Sequence, residues 1–282
     1  MVKVSAIQMS MSEEKSENIA KARQLVRESA ANGANIILLP ELFEGLYFCK
    51  DRDEKYFSWA AEREGNPLIE QFSVLAKELH VVLLVSYFEK TPTHYFNSLV
   101  VIDDEGNVLD NYRKTHIPDG PGYEEKFYFQ PGDTGFKVWD TKYGKIGVGI
   151  CWDQWFCETA RALTLMGAEI IFYPTAIGSE PEIGLDSKEH WQRVQMGHAA
   201  TNTVPVVVAN RYGKEIGKSC EITFYGSSFI TDYMGAKIAE ASREKEEILY
   251  AEFDLQEIAQ QREYWGLLRD RRPASYSVLC EE

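Results

Sequence analysis

Cys151 occupies a position from which a thiol could act. It ends the run KIGVGICWD (145–153), follows Gly147 and Gly149, and precedes WFCETARALTLMG, whose apolar spacing is helical. A strand-to-helix turn projects a side chain into a cleft. The start of a helix adds unpaired N–H groups and a positive end that favours a thiolate, and N–H groups just after a nucleophile can hold an oxyanion. The same glycine-rich setting fits an inert buried cysteine at least as well. Glu41 closes the apolar run NIILLPEL (35–42). A carboxylate at the end of a buried strand must be paired or bear a desolvation cost. Desolvation disfavours the charged form, which suits a general base for a thiol; a solvated carboxylate in the loop ELFEGLYF is the equal alternative. Lys114, in NYRKTHIPDG, could stabilise a developing oxyanion, although alone it reads as an ordinary loop lysine, like its neighbour Arg113.

Short β-branched runs alternating with amphipathic stretches supply the elements that would carry these groups. Strands are expected at 2–9, 35–42, 81–88, 145–153, 168–176 and 204–211, and helices at 18–34, 67–79, 187–203 and 254–265. Gly33 suits the C-terminal cap of the first helix. The segment 98–117 reads as a β-hairpin around DDEGN, and 227–240 with 247–254 as a late strand pair. The pattern is that of an α/β protein whose sheets cannot be purely parallel.

LPELF, YRKTHIP and GVGICWD occur in this order, and together they resemble the nitrilase superfamily, whose members place a Glu, a Lys and a nucleophilic Cys at these three points. The resemblance runs from AIQM near the start to RDRRP near the end. It implies catalytic roles for Glu41, Lys114 and Cys151. A second family glutamate falls in GYEEKFYF and aligns to Glu125, with Glu124 the rival one position away. The implied fold is a four-layer α-β-β-α sandwich, formed by one carbon–nitrogen hydrolase domain over 1–282. The implied assembly is a homo-oligomer, a dimer or larger. The C-terminal segment from about 266 to 282 is expected at a subunit boundary, since REYWGLLRDRRPASYSVL is rich in the aromatic and arginine side chains enriched there. Neither a metal nor an organic cofactor is expected.

The stretches HIPDGPGYEEKFYFQPGDTGFKVW, ICWDQWF, YPTAIGSEP, ITFYGSSF and WGLLRDRRP resemble the branch of that superfamily that hydrolyses carbamoylated diamines. Relatives acting on N-carbamoyl amino acids carry an Arg shortly after the nucleophile, suited to gripping a carboxylate bidentately. Here the corresponding residues are Trp152, Asp153, Gln154 and Trp155, with one anion and no cation. The expected substrate is therefore a small cationic ureido compound. Its ammonium would pair with a carboxylate of the loop AIGSEPEIGLD, Glu180 being the choice over Glu182 and Asp186, with Tyr47 and Trp152 against the chain or the cation. A solvated acidic loop is the alternative for Glu180. His116 is expected as a supporting hydrogen-bond partner and His198 as structural.

Composition narrows the rest. Thirty basic against 44 acidic residues give a net charge of −14, which argues against nucleic acid as a partner. Five widely spaced cysteines without C-x-x-C spacing suggest neither a disulfide framework nor zinc. MVKVSAIQMS turns polar without a basic-then-apolar leader, and no apolar run approaches the roughly 20 residues of a membrane span; a cytoplasmic protein without a membrane partner is expected. The rival functions are an ω-amidase, an N-carbamoyl-β-alanine amidohydrolase or nitrile-acting relative, and a catalytically silent binding protein. No phosphate-binding glycine loop points to a synthetase module.

Overall fold

The computed structural model describes residues 1–179 and 185–281. In chain order its strands are β1 (Val2–Gln8), β2 (Ile36–Leu38), β3 (Val82–Lys90), β4 (Tyr95–Ile102), β5 (Val108–Arg113), β6 (Val138–Thr141), β7 (Gly144–Val148), β8 (Ile170–Pro174), β9 (Val206–Ala209), β10 (Tyr212–Ile216), β11 (Glu221–Tyr225), β12 (Phe229–Thr231), β13 (Lys237–Glu240) and β14 (Glu247–Phe253). The helices are α1 (Lys15–Ala31), α2 (Pro67–Leu79), α3 (Glu125–Tyr128), α4 (Cys157–Leu165), α5 (Lys188–Asn202) and α6 (Leu255–Trp265). Twelve strands make two six-stranded sheets, ordered β14-β1-β2-β3-β4-β5 and β13-β12-β9-β8-β7-β6, while β10 and β11 form a separate hairpin.

Successive side chains of a strand point to opposite faces, and here both faces are covered. In β2, Ile36 and Leu38 enter a core shared between the sheets, where they join Val82 and Leu84 and, from the second sheet, Val148 and Phe172. Ile37, between them, packs outward with Val26 of α1 and Phe72 of α2. The second sheet mirrors this arrangement: Ile170 and Phe172 face the shared core, while Ile171 and Tyr173 meet Leu163 of α4 and Trp191 of α5. The result is the four-layer α-β-β-α sandwich. It explains why the central strands read as unbroken apolar runs rather than as alternation. No helix among the described residues is long and apolar enough to cross a membrane.

The segment 67–79 forms a helix over those residues. Asn66 accepts a hydrogen bond from Leu68 N, Pro67 opens the first turn, and His80 takes the left-handed conformation that ends it. Two expectations fail. Of NIILLPEL, only Ile36–Leu38 pair regularly; the chain then leaves the sheet toward Glu41. The late strands are not one pair. β12 pairs with β13, whereas β14 runs antiparallel to β1 from Val2↔Phe253 to Gln8↔Glu247. The physical reason is sidedness: Leu249, Ala251 and Phe253 complete the shared core, and Ile248 and Tyr250 complete the outer one, on the otherwise open edge of β1.

Candidate active site

Glu41 follows β2, Lys114 follows β5 and Cys151 follows β7, and the two sheets bring these strand ends together. Glu41 N donates to Thr175 O just beyond β8 (3.4 Å), and Lys114 N donates to Asn97 O of β4 (2.8 Å). The Lys114 ammonium lies between two carboxylates, 2.9 Å from Glu41 Oε1 and 2.7 Å from Glu125 Oε2, and all three side chains are fully buried. Asn97 Nδ2 donates to Glu41 Oε1 (2.7 Å), and the Tyr47 hydroxyl donates to Glu125 Oε1 (2.7 Å). Glu41 Oε2 is buried without a hydrogen-bond partner, which leaves it the free acceptor of the cluster.

Burial acts against the Lys114 charge, but the Glu125 and Glu41 carboxylates outweigh it and hold the ammonium well above the ordinary lysine range. Burial likewise pushes the Glu125 carboxyl up, with Lys114 pulling it down and Glu41 adding to the rise. Burial and then the Glu41 charge push the Cys151 thiol well above its ordinary range, with Lys114 opposing. Cys151 opens a 3-10 turn, Cys151–Trp155, and α4 begins only at Cys157. The expected stabilisation of a thiolate by a helix start is thus opposed by desolvation, which favours the thiol.

The backbone at the site is held under strain. Cys151 (φ 43°) and Leu42, next to Glu41 (φ 48°), both take the left-handed conformation that side chains disfavour. Asp153 braces the cysteine turn: its carboxylate accepts from Ile150 N (2.9 Å), Tyr112 OH (2.8 Å) and His116 N (2.9 Å), and His116 Nδ1 lies 2.7 Å away. His116 also stacks on Phe156, with ring centroids 3.7 Å apart. Gly149 has to be glycine for this packing, because a methyl group there would meet Tyr173 Cε1 at 2.8 Å and Asp153 Cβ at 3.2 Å.

Cys151 opens into a cavity of about 180 Å3 walled by Trp152, Trp155, Tyr123, Ile177 and Asp119, the last being the one charged residue among its described lining. Trp152 thus lines the same cavity as Cys151. Tyr47 is not among the described lining of this cavity: it is fully buried, and its hydroxyl donates to Glu125. Glu125, not Glu124, joins Lys114; Glu124 accepts from Arg52 Nε (2.7 Å). Glu180 and Glu182 lie outside the described residues, and Asp186 pairs with Arg243 at 2.7 Å. His198 is buried, and desolvation lowers its pKa to about 4. Sequence reasoning missed Asn97, Asp119, Arg211 and Glu215. Asn97 carried a signal, being a polar residue at the start of the apolar run NSLVVI.

Residues 3–263 match the carbon-nitrogen hydrolase family. The chain is similar to a citrullinase of Francisella tularensis subsp. tularensis, 54% identical over 282 residues that cover 100% of this chain and 99% of that protein. It is also similar to an N-carbamoylputrescine amidase of Arabidopsis thaliana, 56% identical over 283 residues that cover 99% of this chain and 95% of that protein. Among solved structures it resembles a carbon-nitrogen hydrolase from Helicobacter pylori G27, with a TM-score of 0.93 at 38% identity, covering 100% of this chain and 99% of that one.

A thiol pushed up by burial titrates late. Without substrate, alkylation at Cys151 by iodoacetamide, followed by peptide mass spectrometry, should keep accelerating as the pH rises through 9, the ordinary cysteine value. A rate that levels off below neutrality would show a preformed thiolate and contradict this electrostatic picture.

Proposed function

The chain belongs to the carbon-nitrogen hydrolase family, and from that premise we propose that it is a cysteine amidohydrolase that converts N-carbamoylputrescine to putrescine, carbon dioxide and ammonia. The observation that carries the chemistry is the fully buried Lys114, held between Glu41 and Glu125 beside Cys151. Glu41 Oε2, the unpartnered oxygen, takes the Cys151 proton as Sγ attacks the ureido carbon. The oxyanion is held by the Lys114 ammonium, one of whose N–H groups turns from the Glu125 carboxylate that it meets at both oxygens (2.9 and 2.7 Å), and by the Trp152 backbone N–H. Collapse of the tetrahedral intermediate breaks the bond to the terminal nitrogen, which leaves as ammonia with the proton from Glu41. Water, deprotonated by Glu41, then releases the S-carbamoyl group as a carbamate, which decays to carbon dioxide and amine.

The cavity supports a cationic far end. Asp119 can pair with an ammonium, and Trp152 and Trp155, 6.0 Å apart, offer faces to it. Citrulline is the second reading, favoured by the relative named citrullinase. It carries the same ureido group and adds a carboxylate beside the amine. No cation among the described lining residues would receive that carboxylate, so the plain amine fits better. We also propose a homo-oligomer with the C-terminal stretch at its interface, since Tyr264, Trp265, Val278 and Leu279 are exposed large apolar side chains close together in sequence.

Cys151→Ala should abolish turnover while leaving the fold intact. Glu41→Gln and Lys114→Ala should each cost roughly 3 kcal/mol or more in kcat/KM, as for loss of a base or an oxyanion donor. Full activity in any of the three would sink the mechanism. For specificity, the wild type should prefer N-carbamoylputrescine to citrulline and to N-carbamoyl-β-alanine in an assay of released ammonia and amine; the reverse preference removes the branch assignment. Asp119→Asn and Glu180→Gln separate the two candidate carboxylates. The partner of the ammonium is the one whose loss raises KM for the amine substrate and not for a neutral N-alkylurea, and equal effects on both substrates would show a structural role. Truncation after Trp265 should lower the assembly mass in light scattering, and an unchanged mass in a folded protein would count against the interface.

A further inference from the structure

Arg211 is a fully buried cation outside the group that touches the reacting atoms. It follows β9, and its guanidinium reaches across to the loop after β2. Nη2 donates to Glu41 O (2.7 Å) and to Leu42 O (3.1 Å); Nη1 donates to Gly45 O (3.2 Å) and to Glu215 Oε1 (2.9 Å). The other oxygen of Glu215, Oε2, accepts from Tyr47 N (2.6 Å), and the hydroxyl of that tyrosine holds Glu125 Oε1 (2.7 Å). One guanidinium is therefore connected to both carboxylates that flank Lys114: to Glu41 through its own carbonyl, and to Glu125 through Glu215 and Tyr47. The guanidinium carbon also lies 5.7 Å from the Tyr47 ring centre and 5.3 Å from that of Phe224.

We infer that Arg211, with Glu215, is a positioning residue for the reaction, setting the separation of Glu41 and Glu125 around Lys114 and acting on turnover rather than on substrate binding. The loop it grips needs such a clamp. Leu42 is in a left-handed conformation, and the carbonyls of Glu41 and Leu42, in buried residues, require donors. A planar fork serves several acceptors in fixed directions at once, which a lysine ammonium on a flexible stem does not. Arg211 is absent from the described lining of the cavity, so its loss should leave substrate contacts in place. Misplacing Glu41 by a fraction of an ångström changes the proton-transfer geometry, on which turnover depends steeply.

The inference rests on Glu41 acting as the base, and the experiment keeps the two ideas apart. Arg211→Lys, Glu215→Gln and Tyr47→Phe are compared with wild type by circular dichroism, and kcat is expressed per Cys151 thiol counted by alkylation. For Arg211→Lys, kcat per thiol should fall on the order of a hundredfold while KM stays within about twofold; Glu215→Gln should shift kcat in the same direction. Tyr47→Phe added to Arg211→Lys should cost little beyond Arg211→Lys alone, because both act through one network. A kcat per thiol for Arg211→Lys within about twofold of wild type, or full additivity with Tyr47→Phe, overturns the inference. So does collapse of the fold in both Arg211→Lys and Glu215→Gln, which would mark the pair as a folding element. If Glu41→Gln itself keeps turnover, the catalytic reading fails instead.

Discussion

A lysine ammonium with no exposure to water, wedged between two equally buried carboxylates, is the constraint around which this protein is arranged. Removing one partner from a buried ion pair costs about 3–5 kcal/mol, because the other charge is left uncompensated. Here one cation faces two anions, so the cluster would be unstable without further donors. Asn97 and Tyr47 supply them from the side chains, and Arg211, its charge paired with Glu215, supplies donors to the backbone carbonyls of Glu41 and Leu42. Each donor comes from a different part of the chain. The sandwich, by directing several strand ends to one place, is what allows them to converge. The cluster thus depends on the whole fold rather than on any one loop.

The reactive thiol is governed by the same low-dielectric setting. A cysteine that rested as a thiolate would add a third anion beside Glu41 and Glu125. Burial and the Glu41 charge disfavour that. A thiol in such a setting needs base and nucleophile held in register beforehand. The left-handed conformations at Leu42 and Cys151 lie next to those two groups. Such strain costs of order 1–3 kcal/mol per residue and persists because each neighbourhood is bound several times over: Asp153 through Ile150, Tyr112 and His116 on one side, and Arg211 through three carbonyls on the other.

Much of this was legible in the sequence, for physical reasons that also mark the limits. Ile36 to Leu38 and Ile170 to Tyr173 must be covered on both faces, so unbroken apolar runs announce the layered architecture. Glu41, Lys114 and Cys151 were ambiguous singly and stood out only together, through the resemblance of LPELF, YRKTHIP and GVGICWD to one family, as did Glu125 through its family motif. Arg211 was invisible because the carbonyls it grips, those of Glu41, Leu42 and Gly45, are 166 to 170 residues away, and nothing local in VPVVVANR signals a clamp. The edge position of β14 was equally hidden, since alternation fixes which faces a strand shows but not which sheet receives it. Tyr47 was expected against the substrate, and nothing local signalled the hydrogen bond that its buried hydroxyl gives to Glu125, 78 residues away.

The reaction centre and the mouth of the cavity differ in how strongly they can discriminate. At the centre, Glu41, Lys114 and Glu125 are dry, and any change there leaves an unpaired buried charge. At the mouth, the Asp119 side chain is 40% exposed and shared loosely with Arg52 at 3.9 Å, in a setting where a charge pair contributes about 0–1 kcal/mol. The tryptophan faces add a contribution of similar size. Contacts available on this rim are therefore individually weak, while those in the interior are few and strong. A substrate that differs only by a carboxylate beside the amine leaves the centre untouched. Such a carboxylate would meet Asp119, itself acidic, and no cation among the described lining residues. The buried charge cluster is thus fixed deep in the sandwich, whereas the mouth of the cavity lies where substitutions cost the fold least.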